Sequence, residues 1–150
     1  MSERRSEQKP TQRQKQSVFE RAGGCCEYCL SRADFSPSPF AAEHILPRHA
    51  GGTNKLDNLA LSCQACNNHK FTATEAVDPG SGLVVPLFHP RRDKWSEHFS
   101  WSEDFLIVVG LTPIGRATVS RLQINRASVV NLRRVLRLDG KHPPDVAEKE

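Results

Sequence analysis

The stretch AEHILPRHAGGTNKLDNLALSCQACNNHK, residues 42–70, decides how this chain is read. It mixes two kinds of metal ligand: thiols at Cys63 and Cys66, and a harder set at Glu43, His44, Asn58, Asn67 and His69. Thiolates suit zinc, whereas carboxylate and amide oxygens suit Mg2+ or Mn2+. The stretch therefore serves either one ion or two.

The thiols have partners upstream. Cys26-Glu27-Tyr28-Cys29 is a C-x2-C knuckle and Cys63-Gln64-Ala65-Cys66 is a second. Each spacing lets two thiolates converge on one ion, and two knuckles complete the tetrahedron of a four-cysteine zinc site. The interval between them exceeds the ~15–20 residues of common zinc ribbons, which leaves room for a small ββ element. With no open position, such a site is structural and its binding energy supports a small core. The competing reading is four reduced core cysteines. Cys25 is left as a free thiol, because Cys26 gives the x2 spacing to Cys29.

The harder residues suit different chemistry. His44, at the end of a predicted strand, is a candidate general base near neutral pH. Glu43 and Asn67 offer oxygens to a divalent ion, and an open site of this kind serves phosphodiester hydrolysis. Taken singly, each has a plainer reading: a surface Glu-His pair, and Asn67 as a helix cap.

The rest of the chain sets the frame. Its 150 residues suffice for one compact domain, and 37% apolar with 25% charged residues is a globular composition. No apolar run approaches the ~20 residues of a membrane span, so no membrane partner is expected. MSERRSEQKPTQRQKQ lacks the apolar stretch of a secretion signal, so a cytoplasmic protein is expected, with paired thiols binding metal rather than forming disulfides. The net charge of +4 is modest, but basic residues gather at Arg4–Lys15, at Arg91, Arg92 and Lys94, and at Arg126, Arg133, Arg134 and Arg137. Such stripes suit a polyphosphate partner or a solvated helix face equally.

A basic disordered segment is expected over 1–10, then a helix from Thr11 to Ala22, capped by Thr11 and stopped by Gly23-Gly24. Strands are expected over Phe40–Leu46 and Leu59–Leu61, and a short helix beginning near Asn67. After the turn at Asp78–Gly82, strands are expected at Leu83–Leu87, Trp95–Trp101 and Leu106–Val109. Thr112-Pro113 opens a helix. A last helix, about Arg126–Leu138, places Val129, Leu132, Val135 and Leu136 on one face, before a frayed tail over 141–150. The organisation expected is a core over 11–78 and an α/β extension over 79–140 packed on it.

In order, C-x2-C, EHILPRHAGG, DNLALSC-x2-CNNHK closely resembles the zinc-containing branch of the HNH endonucleases, over Cys26 to Lys70. The segments VVPLFHPRRDKWSEHFSW and GLTPIGRATVSRLQINR also resemble the C-terminal part of bacterial HNH proteins. The resemblance implies an α+β fold: a ββα-metal (His-Me finger) core held by a four-cysteine zinc site, with a small strand-plus-helix extension. It implies His44 as general base, Asn58 as the brace of the loop that aims it, and Glu43 and Asn67 as ligands of a catalytic Mg2+ or Mn2+. Most members carry Asp where Glu43 stands, and a His four residues after the Asn67 position is here Phe71. DNA is the implied partner, with Lys70, Arg48, His49, Arg91 and Arg92 as candidate phosphate contacts and His69 as a bystander. Rival readings are a non-catalytic zinc-knuckle module binding nucleic acid or protein, an RNA-directed nuclease, and a partner-binding role for 83–138. Whether the protein is a monomer or a homodimer is left open by the sequence.

Overall fold

The structure, a computed structural model, describes residues 9–145. Most of the segment expected to be disordered, and the last five residues of the tail, lie outside the described residues. Helix α1, Gln12–Arg21, starts at a capping box: Thr11 Oγ1 accepts from Gln14 N, and Gln14 Oε1 accepts from Thr11 N. Each partner satisfies an N–H that the first turn leaves unpaired. The helix gives way to Gly23 and Gly24, both at positive φ (63° and 70°), which glycine adopts without a Cβ clash.

Strands β1, Ala41–His44, and β2, Leu59–Ser62, form an antiparallel ribbon in which Glu43 pairs with Ala60 and His44 with Leu59. Directly paired residues share a face and successive residues alternate faces. Leu59 and Leu61 pack on Val18 of α1 and on Ala22, the residue that caps its C-terminus. Ala60 turns the other way, into the main core with the cysteines. The same alternation sends His44 toward the α1 side and Glu43 toward the core. All four residues of β2 are buried, because both faces of the ribbon are covered.

Helix α2, Gln64–Lys70, follows at once. It starts three residues before the expected Asn67, because the Cys63 thiol acts as its N-cap, 3.4 Å from Cys66 N. Strand, loop, strand and helix therefore follow one another from Ala41 to Lys70.

The second half contributes two more antiparallel ribbons: β3, Glu75–Val77, with β4, Val84–Pro86, and β5, Phe99–Trp101, with β6, Val108–Gly110. The β3–β4 turn is pinned by Asp78, whose carboxylate accepts from Gly80 N and Ser81 N and from both Nε and Nη2 of Arg116 at 2.9 Å. Arg116 lies on α4, Pro113–Leu122, which Thr112 caps through Gly115 N. One apolar cluster runs through both halves, joining Cys26, Tyr28, Ile45 and Cys66 to Leu87, Phe88, Phe99 and Leu122.

Three expectations need correction. Trp95–Trp101 is not one strand: Trp95–His98 form a helical turn, α3, and only Phe99–Trp101 are extended. Trp95 and Phe99 sit four apart, the helical rather than the strand spacing, and their rings lie 5.2 Å apart. In α5, Ala127–Leu138, Val129 and Leu136 are buried as expected, but Val135 is 62% exposed and Arg133 is 3% exposed. Arg133 therefore does not belong to a solvated basic stripe. Its guanidinium donates to Leu106 O, Ile124 O and Asn125 Oδ1 and lies over the Trp101 ring. The tail is not frayed throughout: His142 is buried, bonded through Nε2 to Phe105 O and packed edge-on against Trp101. Among the described residues, no helix is long and apolar enough to cross a membrane.

Candidate metal centre and active site

The four knuckle cysteines converge. The sulfurs of Cys26, Cys29, Cys63 and Cys66 all lie within 4.8 Å of one another, all four residues are buried, and Cys29 Sγ stands 3.8 Å from Cys63 Sγ. Zn–S bonds of about 2.3 Å in a tetrahedron give an S···S edge of about 3.8 Å, so the cluster has the size of a zinc site. Hydrogen bonds from Cys26 and the other thiols hold Cys29 well below the usual thiol range, while burial pushes Cys26 well above it. Arg126 Nη2 lies 3.5 Å from Cys63 Sγ, a cation beside a centre that four thiolates make anionic. Cys25 is buried beside the cluster and is not part of it.

The first knuckle is tied to the ribbon. Glu27 N donates to Leu61 O, and Leu61 N donates to Glu27 Oε2. The next residue, Tyr28, is fully buried and donates its hydroxyl to Glu43 Oε1. The other carboxylate oxygen, Oε2, faces Lys70 Nζ at 3.4 Å, and Lys70 also donates to Ile45 O at 3.0 Å. Burial pushes the Glu43 carboxyl up, against the opposing pull of Lys70 and of the Tyr28 hydroxyl. Burial and the nearby Glu43 charge push the Tyr28 phenol up as well.

Lys70 is not an exposed amine waiting for a phosphate. It is 2% exposed, because an ionised carboxylate inside the core requires a counter-ion. The sequence left Tyr28 without a role, and its place between two zinc ligands gave no signal of a contact with Glu43.

The loop from Ile45 to Asn58 is held by one amide. Asn58 Oδ1 accepts from Leu46 N at 2.9 Å, and Asn58 Nδ2 donates to Leu46 O at 3.0 Å and Thr53 O at 2.9 Å. Gly52 makes this possible: a Cβ there would stand 1.8 Å from Leu46 O and 2.9 Å from Asn58 Nδ2. His44 Nε2 lies 2.6 Å from Asn54 Oδ1. An amide oxygen only accepts, so at this contact Nε2 is the donor. Asn54 Nδ2 donates to Lys9 O, which agrees with that orientation of the amide. Asn54 was absent from the sequence-derived site, although its position in the Gly-Gly-Thr-Asn turn, ten residues from His44, was visible.

The remaining candidates are dispersed. Asn67 is half-buried on α2, one turn before Lys70. His49 and Arg48 are exposed on the loop, with Arg48 Nη1 donating to Gly52 O. Arg92 lines a cleft of about 500 Å3 together with Gly52, Thr53, Asn58, Lys70 and His89. Arg91 lines a separate hollow of about 290 Å3 and pairs with Glu27; burial lowers its guanidinium to about 10. Adjacent arginines thus serve different places, and Arg91 is engaged inside the protein. His69 is half-buried, and its carbonyl accepts from Arg121 Nε.

Converging thiols, an inward carboxylate and a braced histidine loop all fall within one segment. Residues 26–72 match the model of the HNH endonuclease family. The matched HNH domain covers a little under a third of the chain; α1 and everything beyond residue 72 lie outside it. No curated protein and no solved structure matches the chain. The match points to a nucleic-acid-related, nuclease-type function for this segment, and its four cysteines form a cluster suited to zinc.

Proposed function

We propose that this protein is a metal-dependent endonuclease that hydrolyses DNA phosphodiester bonds, on a ββα-metal core built by β1, β2 and α2. The observation that carries the reading is the fixed histidine. Asn54 Oδ1 accepts a hydrogen bond from His44 Nε2, and Asn58 holds the loop on which Asn54 stands. Nδ1 of the neutral His44 ring then removes a proton from the attacking water. Glu43 and Asn67 would be the oxygen donors to a Mg2+ or Mn2+ ion. The Lys70 ammonium lies against Glu43 Oε2 and Ile45 O, so an ion would reach that oxygen only in place of this contact. When bound, such an ion stabilises the charge that builds on the phosphate and the leaving oxygen. Arg92, Arg48 and His49, beside the braced loop, supply backbone-phosphate contacts that position a strand without reading its sequence.

One observation favours a second reading. Both Glu43 oxygens are engaged within the protein, which also suits a non-catalytic nucleic-acid-binding module on the same scaffold. A supercoiled plasmid separates the two. Wild-type protein with Mg2+ or Mn2+ converts it to nicked or linear forms, and His44→Ala slows this by about 10²–10⁴-fold, the usual worth of a general base. An intact plasmid with folded, zinc-loaded wild type overturns the nuclease reading. Equal cutting by both proteins removes His44 from its role. A parallel reaction on single-stranded and duplex RNA tests the DNA preference.

A further inference from the structure

The cleft of about 500 Å3 is lined by Gly52 and Asn58 of the braced loop and by His89 and Arg92, from the segment after β4. His89 is fixed by its own turn. Its N–H donates to Asp93 Oδ2 at 2.9 Å, its carbonyl accepts from Arg92 N and Asp93 N, and its Nδ1 accepts from Arg91 N at 3.2 Å. An Nδ1 that accepts carries no proton, so the ring's proton sits on Nε2. Burial, with the charges of Arg92 and Lys70 nearby, lowers His89 below the usual histidine range and favours the neutral ring. Nε2 is at the ring edge away from the turn and has no acceptor among the described residues.

Arg92 is exposed, and its guanidinium has no carboxylate partner among the described residues. A neutral donor and a cation, three residues apart on one turn, thus border the cleft with nothing to donate to. The Lys70 charge, also on the lining, is offset by Glu43. Two carboxylates line the cleft as well: Asp93, turned to His89 N, and Asp57, exposed on the loop.

We infer that this cleft seats a phosphodiester of a DNA strand, with His89 Nε2 and the Arg92 guanidinium donating to its oxygens. This rests on the reading of the protein as DNA-binding, and on neither a divalent ion nor His44. The two donors act differently. A guanidinium on a phosphate releases a counter-ion and so adds to the salt dependence of binding, whereas a neutral imidazole releases none. Its hydrogen bond to a charged oxygen is still worth about 10-fold in affinity.

The test is fluorescence anisotropy of a labelled, mixed-sequence DNA duplex titrated with zinc-loaded protein. It is run without Mg2+ or Mn2+, over a range of KCl concentrations, at a pH above the histidine range. Zinc content and the unfolding midpoint are recorded for wild type, His89→Ala, His89→Gln, Arg92→Gln and Asp57→Asn. Arg92→Gln is expected to weaken binding and to make the slope of log affinity against log salt shallower by about 1. His89→Ala keeps the backbone bonds of the turn and is expected to weaken binding about 10-fold at an unchanged slope. His89→Gln, which retains an N–H donor, recovers part of that loss and carries the test if alanine unfolds the protein. Asp57→Asn removes a charge that repels the phosphate and tightens binding; weaker binding there contradicts the placement. A slope as shallow in His89→Ala as in Arg92→Gln means that His89 only holds Arg92, and overturns its direct contact. Undiminished binding in both His89→Ala and Arg92→Gln overturns the cleft as a phosphate site and leaves the DNA reading intact. A wild type that binds no DNA at any salt concentration overturns that reading, and this inference with it.

Discussion

Asn58→Ala is the substitution whose cost is most directly set by the structure. The side chain is 9% exposed and makes three hydrogen bonds to backbone groups of the loop that follows His44. A net contribution of about 1 kcal/mol each puts the loss at about 3 kcal/mol. Leu46 and Thr53 are exposed residues, so water re-solvates part of what alanine abandons, and about 2 kcal/mol is a lower bound on the expected cost. For a chain of this length that lowers the thermal midpoint by about 4–12 °C. The assay is thermal unfolding followed by circular dichroism on zinc-loaded protein, with metal content checked, since no cysteine is touched. Asn58→Asp sharpens it: Oδ1 still accepts from Leu46 N, but a second oxygen now faces the carbonyls of Leu46 and Thr53. It is expected to be at least as damaging as alanine at neutral pH. A midpoint unchanged in both variants would refute the claim that this amide holds the loop.

Further outcomes follow from the same geometry. Gly52→Ala places a Cβ 1.8 Å from the Leu46 carbonyl oxygen, so the loop must shift and stability should fall by at least as much as in Asn58→Ala; Gly51→Ala meets nothing within 4 Å and costs only the strain of φ 99°, about 1 kcal/mol. Paired melts of the two variants check this. The Arg116 guanidinium, with the Gly80 and Ser81 amides, holds the Asp78 carboxyl well below its usual range. Folding therefore favours the ionised form, and the stability this confers is present above the ordinary carboxylate pKa of about 4 and lost as pH falls through the lower folded value. Asp78→Asn should melt below wild type at neutral pH, with the gap closing in acid; a gap independent of pH contradicts the ion pair's role. Cys26→Ser should lose zinc and several kcal/mol of stability, whereas Glu43→Ala should keep its zinc, as metal analysis of the two purified proteins reports.

Local chemistry was legible in the sequence wherever it acted alone. Thr11 and Gly23-Gly24 announced α1, Thr112-Pro113 announced α4, and the two knuckles announced the thiol cluster, because cap, turn and ligand spacings are set within a few residues. The Asn58 tie was legible only through the resemblance, since nothing in an Asp-Asn-Leu tripeptide specifies a bond to a backbone twelve residues away. Pairings made by tertiary contact were not legible. Lys70 and Arg133 read as surface cations because long charged side chains usually are; each is buried by a partner distant in sequence, Glu43 in one case and the carbonyls of Leu106 and Ile124 in the other. The start of α2 was misplaced because a thiol is not among the usual capping groups, although here Cys63 serves as one.

Helix α1 carries no ligand and stands before the matched segment, yet it grips the part of the chain that holds His44. Gln14 Nε2 donates to Asn54 O, Arg21 donates to Leu56 O and Leu59 O, and Val18 seals the outer face of β2. Cutting the chain at the borders of recognisable family likeness would keep every cysteine of the cluster, Glu43, His44, Asn58 and Asn67 while discarding the splint on which the histidine's own partner rests. The smallest fragment worth transplanting onto another protein therefore begins at Thr11, well ahead of the first zinc ligand.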